Sequence, residues 1–486
     1  MFIKSLLFSF VLVTTQLSAQ NCSSFIKYGL KKDTLSLLCP ESMMGDLDQL
    51  YEKIRDVHPN PYQYCSKEEL DSAFILAKTA VRTPKNILQF SLVVSNFLKT
   101  MKDSHTFFFL RDVLFLYGRK NPIIPFYVKR FDNKFYLSRI YHDQIPLGTE
   151  ILKVNELSAD SLYKLANSYC PLEAYTSSAR SELCEVMFGN VFNVFNRDKS
   201  RYIEFTYVDF SGDTLVKDVK TTKLRKQYKK GNWYPAKDFE YTFFKNTGHL
   251  RIYSFEPKND VKFRKRIDRF FKRVKDNTCT SVVIDLRENK GGYIVLLEHL
   301  LSHINSEGKT YDLRYNYKRS DLDRFETLSK LKKIDFIKKA KRVYPKGMIS
   351  KEYDFYKSPK GTVKSILYKK ELKNRNNFVY NDSCTLIING LSMSASVLMA
   401  SWFKETNRGE IIGSPCYGSQ SGTNGNPASI FLKHSGLPVS ISTLILHPEN
   451  VNRDLTEDLK VDQKIQVSLE DIKSGNDPFV SYSIQD

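Results

Sequence analysis

The chain has 486 residues, 41% hydrophobic and 26% charged, enough for two or three domains with a sizeable buried core. Its net charge of +20, from 74 Lys+Arg against 54 Asp+Glu, is spread out, with concentrations at 217–230 and 330–346. No nucleic-acid fold signature accompanies those runs, so they read as a solvated basic face and no nucleic-acid partner is expected.

Residues 1–20 join Lys4, an apolar stretch from Leu6 to Val13, and the small residues Ser18 and Ala19. That pattern predicts a secretory signal peptide, and hence export to a periplasm, envelope or extracellular space. The run is short for a membrane span, and no later stretch is long and apolar enough for one. Cys22 follows closely, but Asn21 stands where a lipidation signal wants a small residue. Eight cysteines make disulfides possible in an oxidising space; Cys22 with Cys39, or Cys170 with Cys184, would close short loops. No CxxC and no His/Cys pair at zinc spacing appears, so neither a metal nor a cofactor is expected.

Leu47, Leu50, Ile54 and Val57 predict an amphipathic helix over 45–57, ending before His58-Pro59. Ser66 and Glu69 form a capping box for a second helix. Thr83-Pro84 opens a third, with Ile87, Phe90, Val94, Phe97 and Met101 on one face. Asp103-Ser104-His105-Thr106 follows directly, and an imidazole there has the pKa a general base needs. Residues 21–115 thus form an N-terminal helical region.

Over 116–245, two segments flanking Asp132-Asn133 predict a β-hairpin, and two flanking Ser211-Gly212-Asp213 predict another. Between them, IPLGTEILKVNELSADSLYKLA looks like part of a PDZ domain, without an obvious carboxylate-binding loop.

From 246 onward, strands alternate with helices, which implies an α/β core. Val282–Leu286 ends in Arg287 and the Gly291-Gly292 turn; Thr385–Ile388 runs into Asn389–Ser394 and a helix over 395–408. Ser392, Ser394 and Ser396 are all candidate nucleophiles at that helix start. Free N–H groups and the positive dipole end suit an oxyanion there, although serine-rich turns also serve as plain caps. Residues 307–376 are a lysine- and tyrosine-rich insertion, helical around 322–343, readable as a lid or a ledge.

Taken together, DSHT, strand-DLRENKGG, strand-SMSAS-helix and GEIIGSPCYG resemble the C-terminal processing (tail-specific) serine peptidases, in the branch similar to the tricorn protease core. The resemblance implies a crotonase-like fold for 246–486. It also implies a nucleophile at Ser394, a general base at His105 with Ser104 as its helper, and oxyanion donors at Gly291 or Gly292 and at Ser394 or Ala395. A downstream glutamate should close the relay, Glu457 in preference to Glu449. Two positions depart from the wider family: Val397 replaces an acidic residue, and Ser419 stands where a Ser–Lys dyad would place its lysine. Ser419 cannot replace an amine base, so a histidine mechanism is expected. The expected activity is serine endopeptidase cleavage of polypeptides, their C-terminal tails included. The alternative is a catalytically inactive peptide-binding protein on the same fold.

Overall fold

The computed structural model describes residues 37–483 apart from 109, 111–112, 114–121, 141–144, 175, 177, 197–199, 224–237, 306–307, 323–331, 341–348, 375–377 and 450–457. The expected signal peptide, residues 1–20, and Cys22 lie outside the described residues. The chain divides into two compact units. One combines Met1–Phe108, Pro171–Thr176 and Asp238–Gln463; the other combines Phe109–Cys170, Ser177–Lys237 and Lys464–Asp486.

Helices α1 (Pro40–Val57), α2 (Lys67–Ala80) and α3 (Ile87–Lys99) open the first unit. Ser66 and Glu69 form the expected reciprocal cap on α2. The start of α3 falls three residues past Pro84, because Asn86 and Gln89 make a capping box there. The three helices fall in the same compact unit as 238–463. The buried Asp46 carboxylate of α1 accepts the N–H groups of His434 and Ser435, each at 2.8 Å.

The second unit is built on an antiparallel sheet ordered β1 (Phe126–Phe131), β2 (Lys134–Ile140), β3 (Glu150–Val154), β4 (Tyr202–Val208) and β5 (Thr214–Lys220). Asp132 and Asn133 both take positive φ, 47° and 63°, as a tight hairpin turn requires. Helices α4 (Ala159–Tyr169) and α5 (Ser178–Phe195) accompany the sheet, and Phe126, Phe135, Phe188, Phe192 and Phe205 fill the core. The tail beyond Lys464 belongs to this unit.

The main sheet of the first unit contains, in spatial order, β6 (Phe239–Phe244), β7 (Thr247–Ile252), β8 (Ser281–Asp285), β11 (Ser383–Ile388) and β12 (Glu410–Gly413). From β7 to β12 the pairings are parallel. Parallel neighbours need crossovers, and α6 (Asp260–Asp276), α7 (Ile294–Leu301) and α10 (Ala395–Glu405) lie in them. The middles of the inner strands are apolar and buried, Val282–Ile284 in β8 and Leu386–Ile388 in β11, as a sheet covered on both faces demands.

The insertion is no appendage. Its strands β9 (Thr310–Lys318) and β10 (Val363–Glu371) join β16 (Leu444–Pro448) and β13 (Thr423–Gly425) in a second sheet ordered β10-β9-β16-β13. Tyr311, Leu313, Tyr315 and Tyr317 alternate inward along β9 and are buried. Helices α8 (Lys333–Ala340) and α9 (Ile349–Lys357) lie between β9 and β10. Among the described residues, no helix is long and apolar enough to cross a membrane.

Candidate active site

The turn after β8 is held by two buried polar side chains. Asp285 receives the Arg287 guanidinium, with Nη2 2.6 Å from Oδ2 and Nε 3.0 Å from Oδ1. Asn289 accepts the Gly291 N–H on its Oδ1 at 2.8 Å and donates Nδ2 to the Ile252 carbonyl at 3.0 Å. Its own carbonyl accepts the Met393 N–H at 2.9 Å and the Ser396 hydroxyl at 3.0 Å. Asn289 therefore fastens the glycine turn to the serine turn.

The two glycines are required by contact as well as by conformation. Gly292 has φ +138°, and a Cβ there would lie 2.3 Å from the Phe255 carbonyl carbon. Gly291 carbonyl accepts from Phe255 N–H, and Tyr293 N–H donates to the Phe255 carbonyl, both at 2.9 Å. The N–H of Gly292 therefore points away from Phe255 and, among the described residues, donates to nothing.

Geometry separates the three serines. Ser392 Oγ donates to the Leu286 carbonyl at 2.8 Å and Ser396 Oγ to Asn289; both side chains are buried. Ser394 is partly exposed, and its hydroxyl caps nothing and makes no hydrogen bond among the described residues. Its backbone, φ 55° and ψ −116°, is a conformation that costs a non-glycine residue on the order of 1–3 kcal/mol. Ala395 opens α10 with an N–H that the helix itself cannot use. Val397 is buried against Gly418, where a Cβ would meet its Cγ2 at 2.9 Å. Ser419 is buried and bonded to Ser421, Oγ to Oγ 2.5 Å.

His105 lies in a second cluster. Its Nδ1 is 3.3 Å from Ser104 Oγ, and Ser104 N–H donates to Glu173 Oε2 at 2.7 Å. His105 N–H donates to Asp103 Oδ1 at 2.8 Å, while Asp103 Oδ2 takes the His58 ring at 2.9 Å and hydroxyls of Thr106 and Ser442. Burial alone would raise the Asp103 pKa; the hydrogen bond and charge of His58 overcome it and bring the pKa well below the usual range. Burial lowers the His105 pKa, opposed by the Asp103 charge. Burial, with Asp103 close by, pushes Glu173 up to about 8.

Tyr417 ties the serine turn to the Glu173 segment. Its N–H donates to the Ser392 carbonyl at 2.9 Å, and its hydroxyl donates to the Pro171 carbonyl. The strand-like segment after His105 pairs with β15 (Pro438–Ile441) through Phe107 and Ser440. Glu449 is engaged elsewhere, its carboxylate forked on Arg314 at 2.6 and 2.9 Å. Glu457 lies outside the described residues. Glu173 and Asn289 were not anticipated. Asn289 sits inside the DLRENKGG motif and could have been flagged by it, whereas Glu173 has no sequence signal.

Residues 246–451 match the family model for Peptidase family S41. No curated protein matches the chain in sequence. Mature CPAF superposes with a TM-score of 0.60 at 14% identity, over 91% of this chain and 95% of that one. CPAF complexed with lactacystin gives 0.61 at 14%, over 91% and 97%. The photosystem II D1 C-terminal processing protease aligns over 89% and 96% at 13% identity, with a TM-score of 0.43. The CPAF likeness is one of fold; the family match covers both the glycine turn and Ser394. Residues 246–451, rather less than half of the chain, are thus similar to peptidase family S41, a family of serine-type peptidases acting on polypeptides.

Proposed function

We propose that Ser394 Oγ attacks the scissile carbonyl while His105 Nε2 takes its proton, forming an acyl-enzyme that water then hydrolyses. The observation that carries this reading is the partition of the three serines: two hydroxyls are buried and spent on carbonyls, and one is partly exposed, without a bond among the described residues and held in a strained turn. The oxyanion would be met by the N–H groups of Gly292 and Ala395. The Gly291 N–H is already given to Asn289. Ser104 Oγ accepts from Nδ1–H of His105, which leaves Nε2 as the basic nitrogen. Glu173 positions Ser104 through its backbone N–H. Glu457 is the alternative for that last place.

Residues 1–20 support export of the mature chain. The middle unit supports polypeptide tails as substrates: β1 and β5 lie at the two ends of its five-strand path, and a PDZ-like unit binds an extended peptide by adding it as a strand.

The test is labelling of the mature protein by a fluorophosphonate, compared with Ser394→Ala and His105→Ala. Labelling lost in both folded variants supports the reading. Labelling retained in Ser394→Ala moves the nucleophile elsewhere, and a wild type that neither labels nor cleaves peptides favours a peptide-binding protein.

A further inference from the structure

We infer that Asp268, His299 and His303 form a site for a transition-metal dication of the zinc class, joining α6 to the end of α7. His299 lies in α7 and His303 one turn later, a four-residue spacing that turns both rings to one side. Asp268 reaches them from α6. The Nε2 atoms of His299 and His303 lie 2.9 and 3.0 Å from the same Asp268 Oδ1, and the three donor atoms are all within 4.8 Å of one another. Zinc bonds of about 2.0–2.1 Å in a tetrahedron set neighbouring donors roughly 3.3 Å apart. The two Asp268–histidine separations therefore need to open by only a few tenths of an ångström to admit the ion, and the two ring nitrogens already lie within 4.8 Å of each other.

The surroundings suit a site with an inner wall and an open side. The His303 ring stacks on Phe271, centroids 4.6 Å apart and planes 3° from parallel, so its direction is fixed by packing. Side-chain exposure rises from 2% at His303 to 20% at His299 and 32% at Asp268. That leaves an entry path and room for water as a fourth ligand. Two imidazoles and one carboxylate select zinc, nickel or copper over calcium and magnesium, which want oxygen. In loading, the ion takes the Nε2 lone pair of each ring and the ring proton resides on Nδ1. Asn374 Nδ2 lies 2.8 Å from His303 Nδ1, so its amide must turn to accept that proton. No oxidation or net proton loss is involved. Because α7 begins two residues after Gly292, an ion at its far end would brace the helix that leaves the glycine turn.

The experiment is titration of the untagged mature chain with Co2+, followed by displacement with Zn2+. Expected are a saturable visible absorption at one ion per chain, and a zinc-dependent rise in Tm. Both should vanish in His299→Ala, whose side chain is partly exposed, and in His303→Gln, which keeps a hydrogen-bonding group beside Asp268. Both should persist in His105→Ala, which dismantles the other cluster of possible ligands, Asp103, His105 and Glu173. No saturable binding, binding unchanged in His299→Ala, or binding lost only in His105→Ala would overturn the inference. None of these readouts depends on peptidase activity.

Discussion

A Cβ atom built on Gly291 falls 2.7 Å from the Cβ of Ser394, and equally 2.7 Å from the amide nitrogen of Ala395. Two turns that are distant in sequence, one from each of two adjacent parallel strands, are in van der Waals contact at the point where the nucleophile is proposed to act. Neither can move without the other. The absent side chain at 291 is what lets the helix start of α10 and the glycine turn form one surface.

Gly291→Ala is therefore expected to lower kcat by about a hundredfold or more, the scale on which a misaligned oxyanion site acts. Gly308→Ala is the control: it also has a positive φ, +65°, but nothing lies within 4 Å of its Cβ position. It should cost only the backbone term of roughly 1 kcal/mol in stability. Peptidase kinetics and thermal melts of the two variants test this. Equal activity losses in both would mean that φ, not contact, is what matters.

Asn289→Ala removes the acceptor of Gly291 N–H and the donor to the Ile252 carbonyl in a fully buried place. Two stranded polar groups predict a loss of about 2–4 kcal/mol in denaturant unfolding. A gain in labelling by the fluorophosphonate would run against the proposal, since it would mean that freeing the Gly291 amide improves the site.

The acid limb of kcat/KM should lie below the usual histidine value, because burial lowers the His105 pKa and a neutral ring is the working base. Asp103 opposes that shift, so Asp103→Asn should move the limb lower still, in whatever fraction remains folded. A limb above pH 6.5 that survives the substitution would assign it to another group.

Glu173 has a folded pKa raised to about 8, above an ordinary carboxyl near 4.5. Between those values the folded chain keeps a proton that the unfolded chain has lost, so this group makes stability fall as pH rises through the window. Glu173→Gln should remove that slope, leaving the variant more stable than wild type at pH 8 by on the order of a few kcal/mol, and little changed below pH 4.5. Its kcat should fall if Glu173 positions Ser104. A fall confined to Glu457→Gln would give the role to that residue.

Local chemistry made much of this readable. The Ser66/Glu69 cap and the Asp132-Asn133 turn are decided within a few residues, and both stand where their side chains predict. Asn86 displaced Pro84 as the start of α3, because a two-way cap satisfies donors that a proline merely lacks. Tyr311 to Tyr317 alternate as a half-buried strand should, yet the surrounding lysines make the insertion read as surface. Glu173 could not be found this way. Its stretch has no period and no motif, and its burial beside Asp103 and Ser104 comes from the chain's path.

Pro171–Thr176 lies in the catalytic unit, while the residues on both sides of it lie in the other unit. An excised fragment spanning only 246–451 would carry Ser394 and both glycines, yet lack the histidine, its serine and the buried glutamate. Ser394, the proposed nucleophile, is synthesised after His105, Ser104 and Glu173, and the unit could not close until most of the polypeptide had emerged. Assembly of the site is thus a late, long-range event, and the unfinished chain would carry the parts of a peptidase without yet being one.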